Sequence, residues 1–263
     1  MYILHAVDYG ERVDSAVSGC QAVERAVAIL ELFEDDRRSL LVIGDVAREL
    51  GVHRSTASRL LATLEAGGLL ELDEAAGGYR LGLGLVTLAG HVLNRFPVRA
   101  CAAPVLRELR DSTGETAWLG VLDGRRITYL DQATSPHVTV NVDWVGVRQA
   151  LTEGVTGRLL LAYQPRPVID SLVAAAPPAA PGLSETELAA VRRQGHALRL
   201  GDGEDGYMGV AVPIRDAADI VVAAISLGGP RFRVGEERLR GELLPAALRG
   251  AARVSEALGH RAA

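Results

Sequence analysis

No lysine occurs anywhere in this sequence, so each of its 28 basic residues is an arginine. That absence excludes a phosphate-loop lysine, a Schiff-base lysine for pyridoxal chemistry and a lysine general base together. Cysteine is nearly as scarce. Cys20 and Cys101 are far apart, and neither has a second cysteine at metal-ligand spacing, so both read as inert thiols and no metal or cofactor is expected. Long apolar runs are missing too: the longest, Ile220 to Leu227 with its flanking glycines, falls far short of the roughly 20 residues a spanning helix needs. The opening stretch from Met1 to Asp8 lacks the basic start and apolar run of a secretory leader. Residues 1–16 therefore read as an N-terminal extension, and a cytoplasmic protein without membrane association is expected.

Catalytic constellations are absent as well. His5, His53, His91, His137, His196 and His260 are scattered without metal spacing, and no Gly-x-Ser-x-Gly elbow occurs, so an enzyme is not expected. The net charge of -5 does not advertise a nucleic-acid partner, and any such reading must rest on local pattern.

What is present suits globular folding. With 263 residues, 48% of them hydrophobic, the chain can bury a sizeable core as one large domain or two ordinary ones. From Cys20 to Glu34, Val23, Val27 and Leu30 recur at helical spacing, widened by Ala26, Ile29 and Phe33, which predicts an amphipathic helix. After the charged break Asp35 to Arg38, a second helix is expected over Leu40 to Leu50, and a third from His53 to Ala66 that stops at Gly67-Gly68. Leu69 to Leu72 and Tyr79 to Leu81 flank a turn-rich stretch and read as a hairpin. Helix, helix, helix, hairpin is the winged helix-turn-helix order, placed at residues 17–82. Leu83 to Phe96 predicts one more helix before Pro97, with a linker over 83–100. Beyond it, Thr116 to Leu122, Arg126 to Asp131 and Val138 to Val145 read as strands, and Thr156 to Tyr163 and Ser184 to Arg193 as helices. Pro177, Pro178 and Pro181 mark a loop. Gly209 to Arg215 and Ile220 to Leu227 form a hairpin around Asp216 to Asp219, and Glu236 to Leu258 predicts a closing helix with a break at Pro245.

The functional signal lies in Asp45 to Leu64. Ala47 lets two helices approach, Gly51 takes a backbone angle other residues resist, and Ala57, Leu60, Leu61 and Leu64 make the buried stripe of the second helix. At about 100° per residue that stripe turns Ser55, Arg59 and Ala62 outward, puts Thr56, Ser58 and Thr63 on the flanks, and leaves Arg54 at the exposed start. Arginines and small hydroxyls with no acid before Glu65 suit a major groove, because guanidinium pairs with guanine or phosphate and hydroxyls reach either. A merely solvated surface would carry the same residue types. On the hairpin, whose tip bears Asp73 and Glu74, Arg80 is the better wing contact, and Tyr79 is expected to pack.

These blocks resemble the IclR family of bacterial transcriptional regulators. The likeness runs through Ala22 to Phe33, Ser55 to Leu64, Tyr79 to Gly82, Thr113 to Thr116, Gly157 to Ala162 and Ala223 to Ser226, in that order. It implies an α+β fold class: the winged domain, a linker helix, and a GAF-like α/β effector-binding domain over residues 101–263. It further implies double-stranded operator DNA, a small-molecule effector, and a homodimer or homotetramer. Carried over by position, the effector pocket would be lined by Trp118, Gly157, Arg199, Met208, Gly209, Ser226 and Gly228. Many members have cysteine where Gly209 stands, an acid where Arg199 stands and serine where Gly228 stands. An arginine at 199 suits an anion, or is simply an exposed strand residue, and Ser226 bonds either a ligand or its own sheet.

Two alternatives stay open: a rear domain that only oligomerises, and an enzyme acting on a small molecule. One pattern is a decoy. Gly201 to Gly206 spells a dinucleotide glycine motif, yet it leads into a strand rather than a helix, and its acids repel phosphate.

Overall fold

A computed structural model of the chain describes residues 19–34, 38–124, 126–137, 144–151, 154–174, 184–201 and 206–261. The extension at 1–16, residues 138–143 of the strand expected over Val138 to Val145, the proline loop at 177–181 and the acidic stretch 202–205 lie outside the described residues. Two compact units divide between Arg95 and Phe96.

In the first unit, α1 (Gln21–Glu31) closes with a 3₁₀ turn at Leu32–Glu34, followed by α2 (Ile43–Glu49) and α3 (Arg54–Ala66). An antiparallel hairpin of β1 (Leu70–Asp73) and β2 (Gly78–Leu81) and the helix α4 (Gly84–Leu93) complete it. Ile29, Val46, Ala57, Leu61, Leu70 and Tyr79 anchor one core. The stripe of α1 is rotated from the expected one: Ile29 is its buried centre, while Val23 and Val27 stay exposed. Between α2 and α3 the chain reverses at Gly51, whose φ of +62° is left-handed although a Cβ there would meet nothing within 4 Å. Backbone angle, not space, therefore demands glycine at this turn. The second helix starts later than its apolar pattern implies. Leu41 joins the wing as a bridge to Tyr79, donating to its carbonyl at 2.9 Å and accepting from its N–H at 2.8 Å, so the backbone there is committed to a strand.

Pro97, read as a boundary, opens α5 (Pro97–Thr113) in the second unit, where a first-turn proline sacrifices no hydrogen bond. This helix was not anticipated, because Pro104 also sits inside it. Next come β3 (Thr116–Asp123), β4 (Arg126–Ala133), β5 (Arg148–Ala150), α6 (Val155–Ala162), α7 (Arg166–Ala174) and α8 (Glu185–Gln194). Strands β6 (Ala197–Leu200), β7 (Tyr207–Arg215) and β8 (Val221–Pro230) lead to α9 (Glu236–Arg238) and α10 (Leu244–Ala257). One turn of π-helix, Leu239–Leu243, joins the last two and seats Pro245 at the start of α10. All pairings in the six-stranded sheet, ordered β5-β4-β3-β8-β7-β6, are antiparallel. Helices α5 and α10 pack on each other and on the sheet, and α6 packs on it with α8 behind. Ile127, Tyr129, Ala211 and Ala224 meet α6 and α8 in one core. Side chains alternate along a strand, so Val210, Val212 and Ile214 belong to the opposite face. The class is α+β, a winged helix-turn-helix unit and a GAF-like sheet unit.

Candidate nucleic-acid interface and effector face

Helix α3 buries Ala57, Leu61 and Leu64, with Leu60 half-buried rather than buried. That leaves Arg54, Ser55, Arg59, Ala62 and Thr63 exposed and Thr56 and Ser58 half-buried. Among the described residues neither Arg54 nor Arg59 is ion-paired. Thr63 is less available, because its hydroxyl donates to the Arg59 carbonyl at 2.8 Å. The helix is capped by His53, whose Nδ1 accepts the Ser55 backbone N–H at 3.3 Å and lies 2.9 Å from Ser55 Oγ.

Arg80 is engaged rather than free. Its Nε donates to Asp73 Oδ2 at 2.8 Å and its Nη1 to the Ser39 carbonyl at 3.3 Å. The guanidinium, helped by the Ala76 N–H, holds the Asp73 carboxyl below the usual carboxylate range. Hence the wing tip is partly neutralised from within, and Tyr79 packs in the core as expected.

In the second unit, the register aligns the effector candidates in two rows. Thr116, Gly228, Gly209 and Arg199 pair across the sheet, as do Trp118, Ser226, Ala211 and Ala197. Residues directly opposite share a face, and this one carries Ala211 toward α6. Gly157 lies in α6 itself. Met208 does not join them: one position from Gly209, it falls by strand alternation on the opposite face with Val210. Tyr207 takes its place, edge-on to Trp118 at 6.2 Å between ring centroids.

The inner face is polar as well as aromatic. Thr156 donates to Ser226 Oγ at 3.0 Å, both being buried. Tyr129 donates to Gln149 at 2.9 Å and lies edge-on to Trp144, and Trp118 Nε1 donates to Gln132 Oε1 at 2.9 Å. Burial raises the Tyr129 phenol, and burial with the Glu115 charge raises Tyr207 well above the normal range. Both therefore stay neutral and can donate. Sequence reasoning missed Tyr129, Gln132, Thr156 and Tyr207. Period-two alternation from Gly209 would have picked Tyr207, whereas Gln132 needs the β3–β4 register, in which it faces Trp118.

The glycines of this face differ in kind. A Cβ on Gly157 would lie 2.3 Å from the Leu151 carbonyl, and one on Gly228 would lie 2.4 Å from that of Met208 and 2.8 Å from the Tyr207 ring. On Gly209 a Cβ would come no nearer than 3.4 Å to anything. Beside this row Glu115 is wholly buried, held bidentately by Arg233 at 2.7–3.0 Å and by Arg238 at 2.8 Å. It is the acid of the Thr113 to Thr116 block, and its role is to tie α5 to the segment after β8. Among the described residues no group of three His, Cys, Asp or Glu is placed to hold a metal, and no helix is long and apolar enough to cross a membrane.

A winged helix-turn-helix with two unpaired arginines on its outward helix, on the same chain as a helix-covered sheet with a polar inner face, defines the class of DNA-binding transcriptional regulators. Residues 22–74 match the model of the IclR helix-turn-helix domain, and residues 90–256 that of the bacterial transcriptional regulator IclR C-terminal. The chain belongs to the IclR family of bacterial transcriptional regulators. The HTH-type transcriptional regulator XynR of Escherichia coli K12 is 32% identical over 92% of this chain and 98% of that protein. The glycerol operon regulatory protein of Streptomyces coelicolor is 33% identical, over 91% and 96% respectively. An IclR homologue complexed with 4-hydroxybenzoate, from Microbacterium hydrocarbonoxydans, superposes with a TM-score of 0.76 at 26% identity, covering 90% of this chain and 98% of that one. Members of the family are transcriptional regulators rather than enzymes.

Proposed function

We propose that this regulator binds a pseudo-palindromic operator as a dimer or tetramer, presenting paired α3 helices to successive half-sites, and that a small-molecule effector alters their spacing. The carrying observation is the outward face of α3, where Arg54, Ser55 and Arg59 are exposed and both guanidiniums are unpaired among the described residues. Arg54 and Arg59 read base edges or phosphate, supported on the flanks by Thr56, Ser58 and Thr63, with Arg80 as the wing contact. The protein works in the cytoplasm. Arg59→Ala weakens operator binding by about 1–3 kcal/mol if the arginine reads a base, or lowers the salt slope by about 1 if it meets phosphate. Unchanged affinity and unchanged salt dependence remove Arg59 from the interface.

The effector sits against the α6-facing side of the sheet, near Trp118, Tyr207, Ser226 and Arg199. A small aromatic carboxylate is the first candidate, because the similar Microbacterium protein is complexed with 4-hydroxybenzoate and the two aromatic pairs here suit a ring. Thermal shift with 4-hydroxybenzoate tests it, since a ligand stabilises the folded state by mass action. The Tyr207 ring against Gly228 favours a second reading, in which the sheet unit only oligomerises. In that case no metabolite shifts the melting temperature.

A further inference from the structure

The cap of α3 governs the first outward hydroxyl of that helix. His53 Nδ1 accepts the Ser55 backbone N–H and stands 2.9 Å from Ser55 Oγ. A ring nitrogen that accepts an N–H carries no proton of its own, so the hydrogen between Nδ1 and Oγ belongs to the serine. With that single hydrogen turned toward the ring, exposed Ser55 offers only lone pairs outward. Lone pairs match the amino groups of adenine and cytosine in the major groove, whereas guanine N7 and O6, thymine O4 and phosphate oxygens only accept.

We infer that His53 sets the hydrogen-bond polarity of Ser55, making it an acceptor that selects an amino-bearing base while the ring is neutral and a donor once the ring is protonated. The inference rests on α3 being the groove helix. Once protonated, Nδ1 releases the Ser55 backbone N–H and donates to Ser55 Oγ, the hydroxyl hydrogen swings outward, and the favoured partner becomes guanine, thymine or phosphate.

Among the described residues, charge around the cap comes from α3 and from the elements packed on it, α1, α2 and β1. On α3 it is Arg54, Arg59 and Glu65. Glu24, Arg25 and Glu31 lie on α1, Asp45, Arg48 and Glu49 on α2, and Glu71 and Asp73 on β1. Asp45 is paired with Arg48, Glu49 with Arg38 and Asp73 with Arg80.

The test is selection from a random-sequence DNA duplex pool by the full chain, at about pH 8 and about pH 5.5. For the natural protein, one position in each half-site changes from adenine or cytosine at the higher pH to guanine or thymine at the lower, by about fivefold in enrichment. Asparagine is a favoured cap with an acceptor oxygen and no titration, so His53→Asn folds and keeps the high-pH preference at both values. Ser55→Ala shows no preference at that position. A natural protein that enriches one motif unchanged at both pH values overturns the inference and leaves the groove reading intact. A shift shared by His53→Asn overturns it too, assigning the effect to another group. Failure to enrich any sequence at either pH overturns the groove reading itself, and the inference with it.

Discussion

Gly209 and Gly228 stand side by side in the sheet, and replacing each by alanine separates a glycine that is required from one that is merely present. At Gly228 the new methyl would lie 2.4 Å from the Met208 carbonyl oxygen and 3.1 Å from the Gly209 Cα, both backbone atoms that cannot turn aside. At Gly209 its nearest neighbours would be the Leu227 carbonyl at 3.4 Å and Val155 at 3.5 Å, ordinary contact distances. Both substitutions stiffen the unfolded chain, worth about 0.4–1 kcal/mol where the native backbone tolerates a side chain. Overpacking at Gly228 costs about 1–3 kcal/mol against that gain. Gly209→Ala should therefore be neutral to about 1 kcal/mol more stable, and Gly228→Ala should fall about 2 kcal/mol below it. For a domain of this size the gap corresponds to about 4–8 °C in melting temperature. Reversible unfolding of the two variants, followed by circular dichroism, measures it directly. A Gly228→Ala protein as stable as Gly209→Ala would refute the reasoning that β7 leaves no space at that point.

Three other outcomes are expected. Gly51→Ala should lose about 1–2 kcal/mol despite the open space around it, because the cost is the left-handed backbone; asparagine there should lose less, as thermal denaturation would register. Glu115→Gln should destabilise by about 1–3 kcal/mol, since the half-buried Arg233 and Arg238 would share a site without its anion; unaltered denaturant unfolding would contradict the tie that Glu115 makes. Asp73, held below the usual carboxylate range by Arg80, stabilises the fold above its unfolded pKa, and that contribution is lost as pH falls through the lower folded value. Asp73→Asn should accordingly lower stability at neutral and basic pH and flatten the acid side of a stability-against-pH curve, where the natural carboxylate has already lost its contribution.

Local pattern made α3 legible. A small residue, a turn glycine and an apolar stripe fall within twenty residues or so, and the outward set from Arg54 to Thr63 follows from helical period alone. What needed distant partners was hidden. Leu41 reads as the start of a helix until Tyr79 claims its backbone. Pro97 reads as a break, although it begins α5, and Pro104 lies within that helix. Five of the seven effector candidates share one face of the sheet because one register aligns them, and Gly157 lies on α6, the helix packed on that sheet. The exception was Met208, misplaced for want of a strand parity that its neighbour Tyr207 satisfies. Glu115 stood in a recognisable block, yet its two arginines come from beyond β8 and no spacing rule links them to it.

The bond between Arg80 and Asp73 means that any wing contact is made by a charge already shared. A phosphate that reaches the remaining guanidinium donors of Arg80 meets an arginine whose Nε is held by a carboxylate and whose charge is partly neutralised before DNA arrives. Salt sensitivity of DNA binding comes from counterions released by newly neutralised phosphates, with a slope of roughly 0.9 per phosphate on duplex DNA. An arginine that keeps its own acid neutralises a phosphate only in part, so fewer counterions leave. The wing can thus add contact and orientation while contributing little to ionic-strength dependence, which leaves most of that dependence to the arginines of α3.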